Sequence, residues 1–278
     1  MDLNVEAYRA MQPGVLPTAN QTTVGTVALP RGHVVQSDPP STLAPNTGPP
    51  VLWISNKVLK DAGRRWIVLR RQFRSTGLWP LVLDTLPDEP HRPWDIGEFD
   101  PGSASSPDGV DVIATLRDWC FDSVPVEEGE GEAFDVLAPF ERPFPGLAPT
   151  PQGDVDEDAV DLVAADMRGR LGLVPVRRPA DVVAVLGWQG PMNHFNDVGP
   201  LSAVLRSWED RFGAEPVGLG FATLTLGVRR PPTTRDESLP VAVEHFAVCP
   251  DSVWRGPGSI GRYAEWIMGQ PRWSFWWD

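Results

Sequence analysis

A chain interrupted this often by proline and glycine has no room for long elements. Prolines number 31 and glycines 26 in 278 residues. Proline removes a backbone donor and fixes φ, while glycine makes tight turns accessible. The expectation is short helices and strands with long irregular connections. The chain is long enough for a sizeable core, and its 41% apolar content is close to the globular norm.

Charge is unevenly spread. From Asp122 to Asp166 there are 13 acids and one base, Arg142, whereas Lys57 to Arg74 carries seven bases and one acid, Asp61. The whole chain is at −13. A surface this acidic repels phosphate backbones, so nucleic-acid binding is not expected. Residues 122–153, acidic and proline-rich, read as a linker. The acidic stretch Asp122–Asp166 as a whole is also readable as a face for a basic protein partner or for the chain's own basic helix, and the acids of Gly153–Asp161 as a helix start. Cys120 and Cys249 make no disulfide framework and no CxxC pair, which fits a reducing cytoplasm. No secretion signal or membrane-length apolar run is evident.

Periodicity supplies the elements. Residues 1–50 read as mostly irregular, with a short strand near Thr26–Leu29. Val51–Ser55 reads as a buried strand, Leu59–Ser75 as a helix ended by Gly77, and Leu78–Asp84 as a strand that Pro80 places at an edge or bulge. Together they suggest a βαβ unit in an N-terminal lobe at 51–121, completed by a helix at Asp111–Phe121 with Ile113, Leu116 and Cys120 on one stripe. A C-terminal helix-plus-sheet domain at 154–278 follows. Its expected helices are Glu157–Leu171, Ala180–Leu186, Pro200–Phe212 (buried stripe Leu201, Val204, Leu205, Trp208 and Phe212, stop at Gly213), Thr234–Cys249 (opened by a Thr234–Glu237 capping-box pattern, or starting nearer Ser238 because of Pro240) and Ser259–Met268. Its strands are the hairpin Pro216–Gly220 with Thr223–Val228, and the tail. In the tail Trp273, Phe275 and Trp277 share one strand face, with Ser274, Trp276 and Asp278 on the other. The fold class is therefore α+β, a mixed sheet with flanking helices.

LGW at Leu186–Trp188, SWEDRFGA at Ser207–Ala214, TLTLGV at Thr223–Val228, EHFAVCPD at Glu244–Asp251 and the final WSFWWD together resemble the bacterial domain-of-unknown-function family 4253, over about 171–278. VLWIS and TGLWPLVLD look like the N-terminal part of its actinobacterial members. The resemblance implies no agreed activity and no assigned site.

Candidate chemistry is sparse. His245 and Cys249 stand four apart on a helix, but two ligands fall short of what zinc needs. Cys249 also continues the apolar stripe. GDVDEDAVD (Gly153–Asp161) starts like a calcium loop but has Ala159 and Ala165 where the loop needs glycine and glutamate. No P-loop, HExxH or nucleophile elbow is present. No metal or cofactor is expected. MNHFND is the most site-like stretch. Asn193, His194, Asn196 and Asp197 cluster before a helix, either as caps of the loop backbone or as an anion site with His194 and Asp197 as an acid–base pair. Trp276 joins them as the tail residue that needs either a second buried layer or a ligand. The leading expectation is non-catalytic binding of a protein partner, with an immunity-like or regulatory role. The alternatives are a small-molecule enzyme or sensor with its site near Asn193–Asp197, and an accessory subunit of an assembly. Oligomeric state is not legible.

Overall fold

The computed structural model describes residues 8, 10–18, 20–37, 48–96, 98–124, 137–140 and 144–278. Seven strands form one mixed sheet in the order β3-β4-β6-β5-β7-β8-β9. These are β3 Gly32–Gln36, β4 Pro50–Ser55, β5 Leu78–Leu83, β6 Arg170–Pro175, β7 Ala214–Leu219, β8 Thr223–Val228 and β9 Arg272–Trp276. A small hairpin, β1 Thr23–Val24 with β2 Val27–Ala28, lies apart. It turns at Gly25, whose φ of 54° suits glycine. Between them, β1, β2 and β3 replace the single strand expected near Thr26–Leu29.

Within the seven-stranded sheet only β5 and β7 run parallel, meeting at Val82↔Gly218 and Leu83↔Leu219. β5, β6 and β7 are buried almost end to end. β4, β5 and β6 send side chains to two cores, whereas the buried apolar residues of β7 enter only the larger. Leu52, Ile54 and Val174 enter the larger, while Trp53, Leu171 and Leu173 enter a smaller one with Val24 and Val27 of the hairpin.

The expected βαβ unit is split. β4 and β5 are joined through the helices α1 Ala62–Arg71 and α2 Phe73–Thr76, but β6 lies between them, antiparallel to both. β5 in turn lies between β6 and β7. The segments expected as separate lobes, 51–121 and 154–278, thus contribute interleaved strands to one sheet. Residues 125–136 and 141–143 of the expected linker lie outside the described residues.

Pro80 is not at an edge. Its strand is central, yet the ladder to β7 forms only from Val82 onward. The Pro80 carbonyl accepts from Trp66 Nε1 at 2.7 Å, so the missing N–H falls where no strand partner asks for it. Pro240 is likewise tolerated, inside the helix Arg235–Val248, α7 in chain order. The bond it forgoes is to Asp236 O in the helix's first turn, where Asp236 is exposed to solvent. The Thr234–Glu237 capping box holds that turn.

The helices follow their stripes with local corrections. α3, Val112–Asp122, starts with Asp111 accepting from Ala114 N. It buries Leu116 and Cys120 but leaves Ile113 exposed. The helix expected at Glu157–Leu171 ends early, as α4 Ala159–Ala165. The turn after it is captured by α1: Gly63 N donates to Met167 O at 3.1 Å, and Leu59 N to Gly169 O at 2.7 Å. Leu171 is therefore a strand residue. α5 is Val182–Leu186, α6 Gly199–Phe212, α8 Asp251–Trp254 and α9 Ile260–Ile267. In α6, Leu201, Val204, Leu205, Trp208 and Phe212 are all buried, and Gly213 closes the helix at φ 62°.

The basic and acidic segments do meet. Arg70 and Arg71 of α1 reach Asp161 of α4 at 3.5 and 2.6 Å, and Arg70 also bonds Glu215 at 2.5 Å. No helix among the described residues is long and apolar enough to cross a membrane.

Candidate functional site: an aromatic cleft beside the 192–197 loop

The carboxyl ends of β5 and β7 open toward one end of the sheet. Past β5 the chain turns through Arg92–Glu98, tied back by Trp94 Nε1 donating to Asp84 O. Past β7, Phe221 and Ala222 lead into β8, and the end of β9 brings Trp276 and Asp278 alongside. Trp188 comes from the end of α5. There Gly187 has φ 62° and lies against Asp100–Pro101, so close that a Cβ would meet Asp100 C at 2.0 Å. Trp188 Nε1 donates to Gly220 O at 3.0 Å, and the backbone of Gly190 covers the indole. These segments enclose a cleft of about 400 Å³.

Its walls are mainly rings. Trp188 and Trp277 are buried behind it, whereas Phe221 and Trp276 stay 38% and 45% exposed. Each exposed ring carries a guanidinium: Arg92 at 4.9 Å from the Phe221 centroid and Arg255 at 5.6 Å from that of Trp276. Arg92 donates to Glu98 Oε1 at 2.8 Å and Glu89 Oε2 at 3.2 Å, bonds that raise its pKa above the ordinary value. The second oxygen of Glu98, Oε2, is buried and has no hydrogen-bond partner among the described residues.

The 192–197 loop divides its roles. Asn193 lines this cleft and donates to Asp278 O at 2.9 Å. His194 instead lines a neighbouring cleft of about 380 Å³, with Trp119 and Asp122. Its Nε2 lies 3.1 Å from Asp251 Oδ2, the oxygen that also accepts from Asp278 N. The expected His194–Asp197 pair does not form. Asp197 Oδ1 accepts from Ser105 N at 2.8 Å and Gly199 N at 2.9 Å. Burial works against ionisation of Asp197, but these bonds outweigh it and hold its pKa below the ordinary value. Asp197 thus caps backbone, as short polar side chains before helices do. Asn196 is exposed and lines neither cleft. Trp276 has no second layer over it and is a cleft wall. Arg92, Glu98 and Phe221 went unnoticed in the sequence because they sit in irregular segments without a motif.

His245 and Cys249 belong to the core. The His245 ring packs among Trp208, Trp273 and Phe275 at 4.5 to 5.0 Å, and its Nδ1 meets Tyr263 OH at 3.2 Å. Burial, helped by Arg211, pushes its pKa down to about 3. The Cys249 thiol, pushed up to about 11 by burial, donates to Trp276 O at 3.0 Å, so it fastens the tail strand. Among the described residues no group of three or more His, Cys, Asp or Glu side chains is placed to hold a metal ion.

A larger, polar cleft of about 520 Å³ lies between Tyr8, Arg177, Arg178, Asp181 and Arg206. Its arginines are largely committed. Arg206 holds Asp181 through two bonds and Asp108 through a third. Arg178 bonds Glu209, and Asp210 at 2.5 Å. Burial pushes Glu209 up to about 7 despite the lowering pull of Arg178.

No curated protein and no solved structure matches the chain. Residues 170–278 match the family described as "Domain of unknown function (DUF4253)", and this part of the chain, from β6 to the tail strand, is a domain of that family.

Proposed function

We propose that this protein binds a small organic molecule in the cleft walled by Trp188, Phe221 and Trp276. The observation that carries this reading is the pair of partly exposed rings, Phe221 and Trp276, on the wall of a concave cleft. Exposed apolar rings gathered in a concavity often mark a ligand-binding site. Support comes from size, since about 400 Å³ falls within the usual range of ligand pockets. Position also supports it. The cleft lies beyond the carboxyl ends of the parallel pair, the place where open sheets with parallel strands hold ligands. His194 and Asp251 could move a proton, but they open on the neighbouring cleft, so binding rather than turnover is the function proposed. The test is a ligand-observed NMR screen of small aromatic compounds against the wild type and Trp276→Ala. The expected result is a set of binders lost in the variant. A screen with no binder, or with binders indifferent to Trp276, overturns the reading.

A second reading, recognition of a basic protein partner, draws on exposed Trp254 and Trp266 in a chain of charge −13. Exposed tryptophans are frequent interface anchors. A pull-down washed at about 0.15 M salt tests it: one basic protein held near stoichiometry and released at high salt supports it, and a bare bait removes it.

A further inference from the structure

We infer that the open edge of β9 takes an extended, basic segment of a partner protein as an added strand. This rests on the second reading above, recognition of a basic protein, and says where and how that partner is held. Three observations lead to it.

The first is the free edge. β9 is the last strand of the sheet. Val228 N donates to Pro271 O and Trp277 N to Ala222 O, so the odd-numbered backbone groups of the tail face β8 and the even-numbered ones face away. Among the described residues nothing bonds the N–H or C=O of Arg272 and Ser274, or the N–H of Trp276. The Trp276 carbonyl accepts from Cys249, and Asp278 N donates to Asp251, so the turn between α7 and α8 closes the edge only past Trp276. Arg272, Ser274 and Trp276 are all exposed. Proteins commonly blunt such an edge with a bulge. The opposite edge, β3, has an irregularity at Val35/Gln36, whereas the β8–β9 register is unbroken. A regular open edge is what strand addition uses. The second observation is charge, and it selects the occupant. Asp154, Asp156, Glu157 and Asp158, all exposed, lead into α4. Asp156 N donates to Arg229 O at 2.9 Å, and Val228 N to Pro271 O at 2.7 Å, which sets these acids near the start of β9. Arg229 is already engaged by Glu157 and Glu215, and Arg272 by the Val163 carbonyl at 2.8 Å. A second copy of this chain would bring its own −13 against them, whereas a basic segment is attracted. The third is Leu162. It stands next to Val163 on α4 and is 71% exposed, so a side chain of the added strand near Arg272 finds an apolar contact.

The experiment is a fluorescence-anisotropy titration of the full chain at low salt with three labelled hexapeptides: alternating lysine and valine, the same peptide with every backbone nitrogen methylated, and alternating glutamate and valine. The lysine peptide is expected to bind at least tenfold more tightly than either of the others, and about tenfold more weakly to Ser274→Pro. The Ser274 N–H faces away from β8, so proline there leaves the ladder of the sheet whole. Should Ser274→Pro not fold, amide exchange in the wild type decides: the N–H groups of Ser274 and Trp276 should slow at least tenfold when the lysine peptide is added. Equal binding of the methylated peptide, or no slowing, overturns strand addition. Equal or tighter binding of the glutamate peptide overturns the basic assignment. A wild-type dimer in sedimentation that Ser274→Pro makes monomeric gives the edge to a second copy and overturns the proposal. A basic protein pulled down equally by wild type and Ser274→Pro overturns the proposal and leaves the second reading standing. A bare bait, with the lysine peptide also unbound, removes both.

Discussion

Two clefts among the described residues are close in size and opposite in character. The larger is polar, and its arginines are spent on the chain's own acids: Arg178 on Glu209 and Asp210, Arg206 on Asp181 and Asp108. The smaller has aromatic walls, with Phe221 and Trp276 left partly exposed. Volume alone would choose the first. Hydrogen-bond accounting does not separate them, because Glu209 Oε1 beside Arg178, like Glu98 Oε2, is buried without a partner among the described residues. The partly exposed rings of Phe221 and Trp276 do. The larger cleft reads as a polar clamp between the N-terminal segment at Tyr8, the start of α5 and the outer side of α6.

The largest effect that can test this contrast is on the clamp. Arg178→Ala leaves Glu209 buried without its cation, and breaking such a pair costs about 3–5 kcal/mol. Urea denaturation should show that loss, and a midpoint unchanged from wild type would mean the clamp is not structural.

Next is pH. The folded value of Glu209, about 7, lies above its ordinary 4.5. The folded state therefore holds the extra proton between those values. The resulting stability is present below about 4.5 and lost as pH rises through about 7. His245 acts in the opposite sense. Its folded value of about 3 lies below the ordinary 6.5, so its contribution is present above 6.5 and lost as pH falls toward 3. Relative to Glu209→Gln, the wild type should lose stability as pH rises from 4.5 to 7. Parallel curves over that window would remove Glu209 from the account.

Smaller effects belong to the aromatic cleft. Trp276→Ala should weaken a cleft ligand about tenfold, some 1.4 kcal/mol, because the ring is nearly half exposed and serves the ligand more than the core. Calorimetry reads the affinity, and a thermal melt should move by only a few degrees. A large fall in the melt with no change in affinity would make Trp276 a core residue. The smallest expected change is for Arg177→Ala, an exposed arginine on the rim of the polar cleft. Stability should stay within about 0.5 kcal/mol and ligand affinity should not move. A measurable loss of either would show that the polar cleft does more than clamp.

How much was legible differs by scale. The stripe of α6, its stop at Gly213, the β7–β8 hairpin, the capping box at Thr234 and the two faces of the tail are all local patterns, and all are found in the structure. Of the candidate site, Asn193 and Trp276 line the aromatic cleft and His194 lines its neighbour. Asp197 turned out to be a cap, because its partners Ser105 and Gly199 satisfy it before any ligand arrives. Arg92, Glu98 and Phe221 left no signal, since no periodicity runs through their segments.

What the sequence determined by itself is the kind of each element and which of its faces is apolar. Dihedral preference, capping and side-chain period act over a few residues and need no partner. What only the tertiary structure decided is adjacency: β6 between β4 and β5, Pro80 inside the sheet, Asp251 beside His194, and Glu98 in one cleft with rings from distant parts of the chain. Those choices come from burying both faces of the central strands and pairing charges across long separations. Many strand orders satisfy the same local patterns, and the competition among them is settled only when the whole core closes.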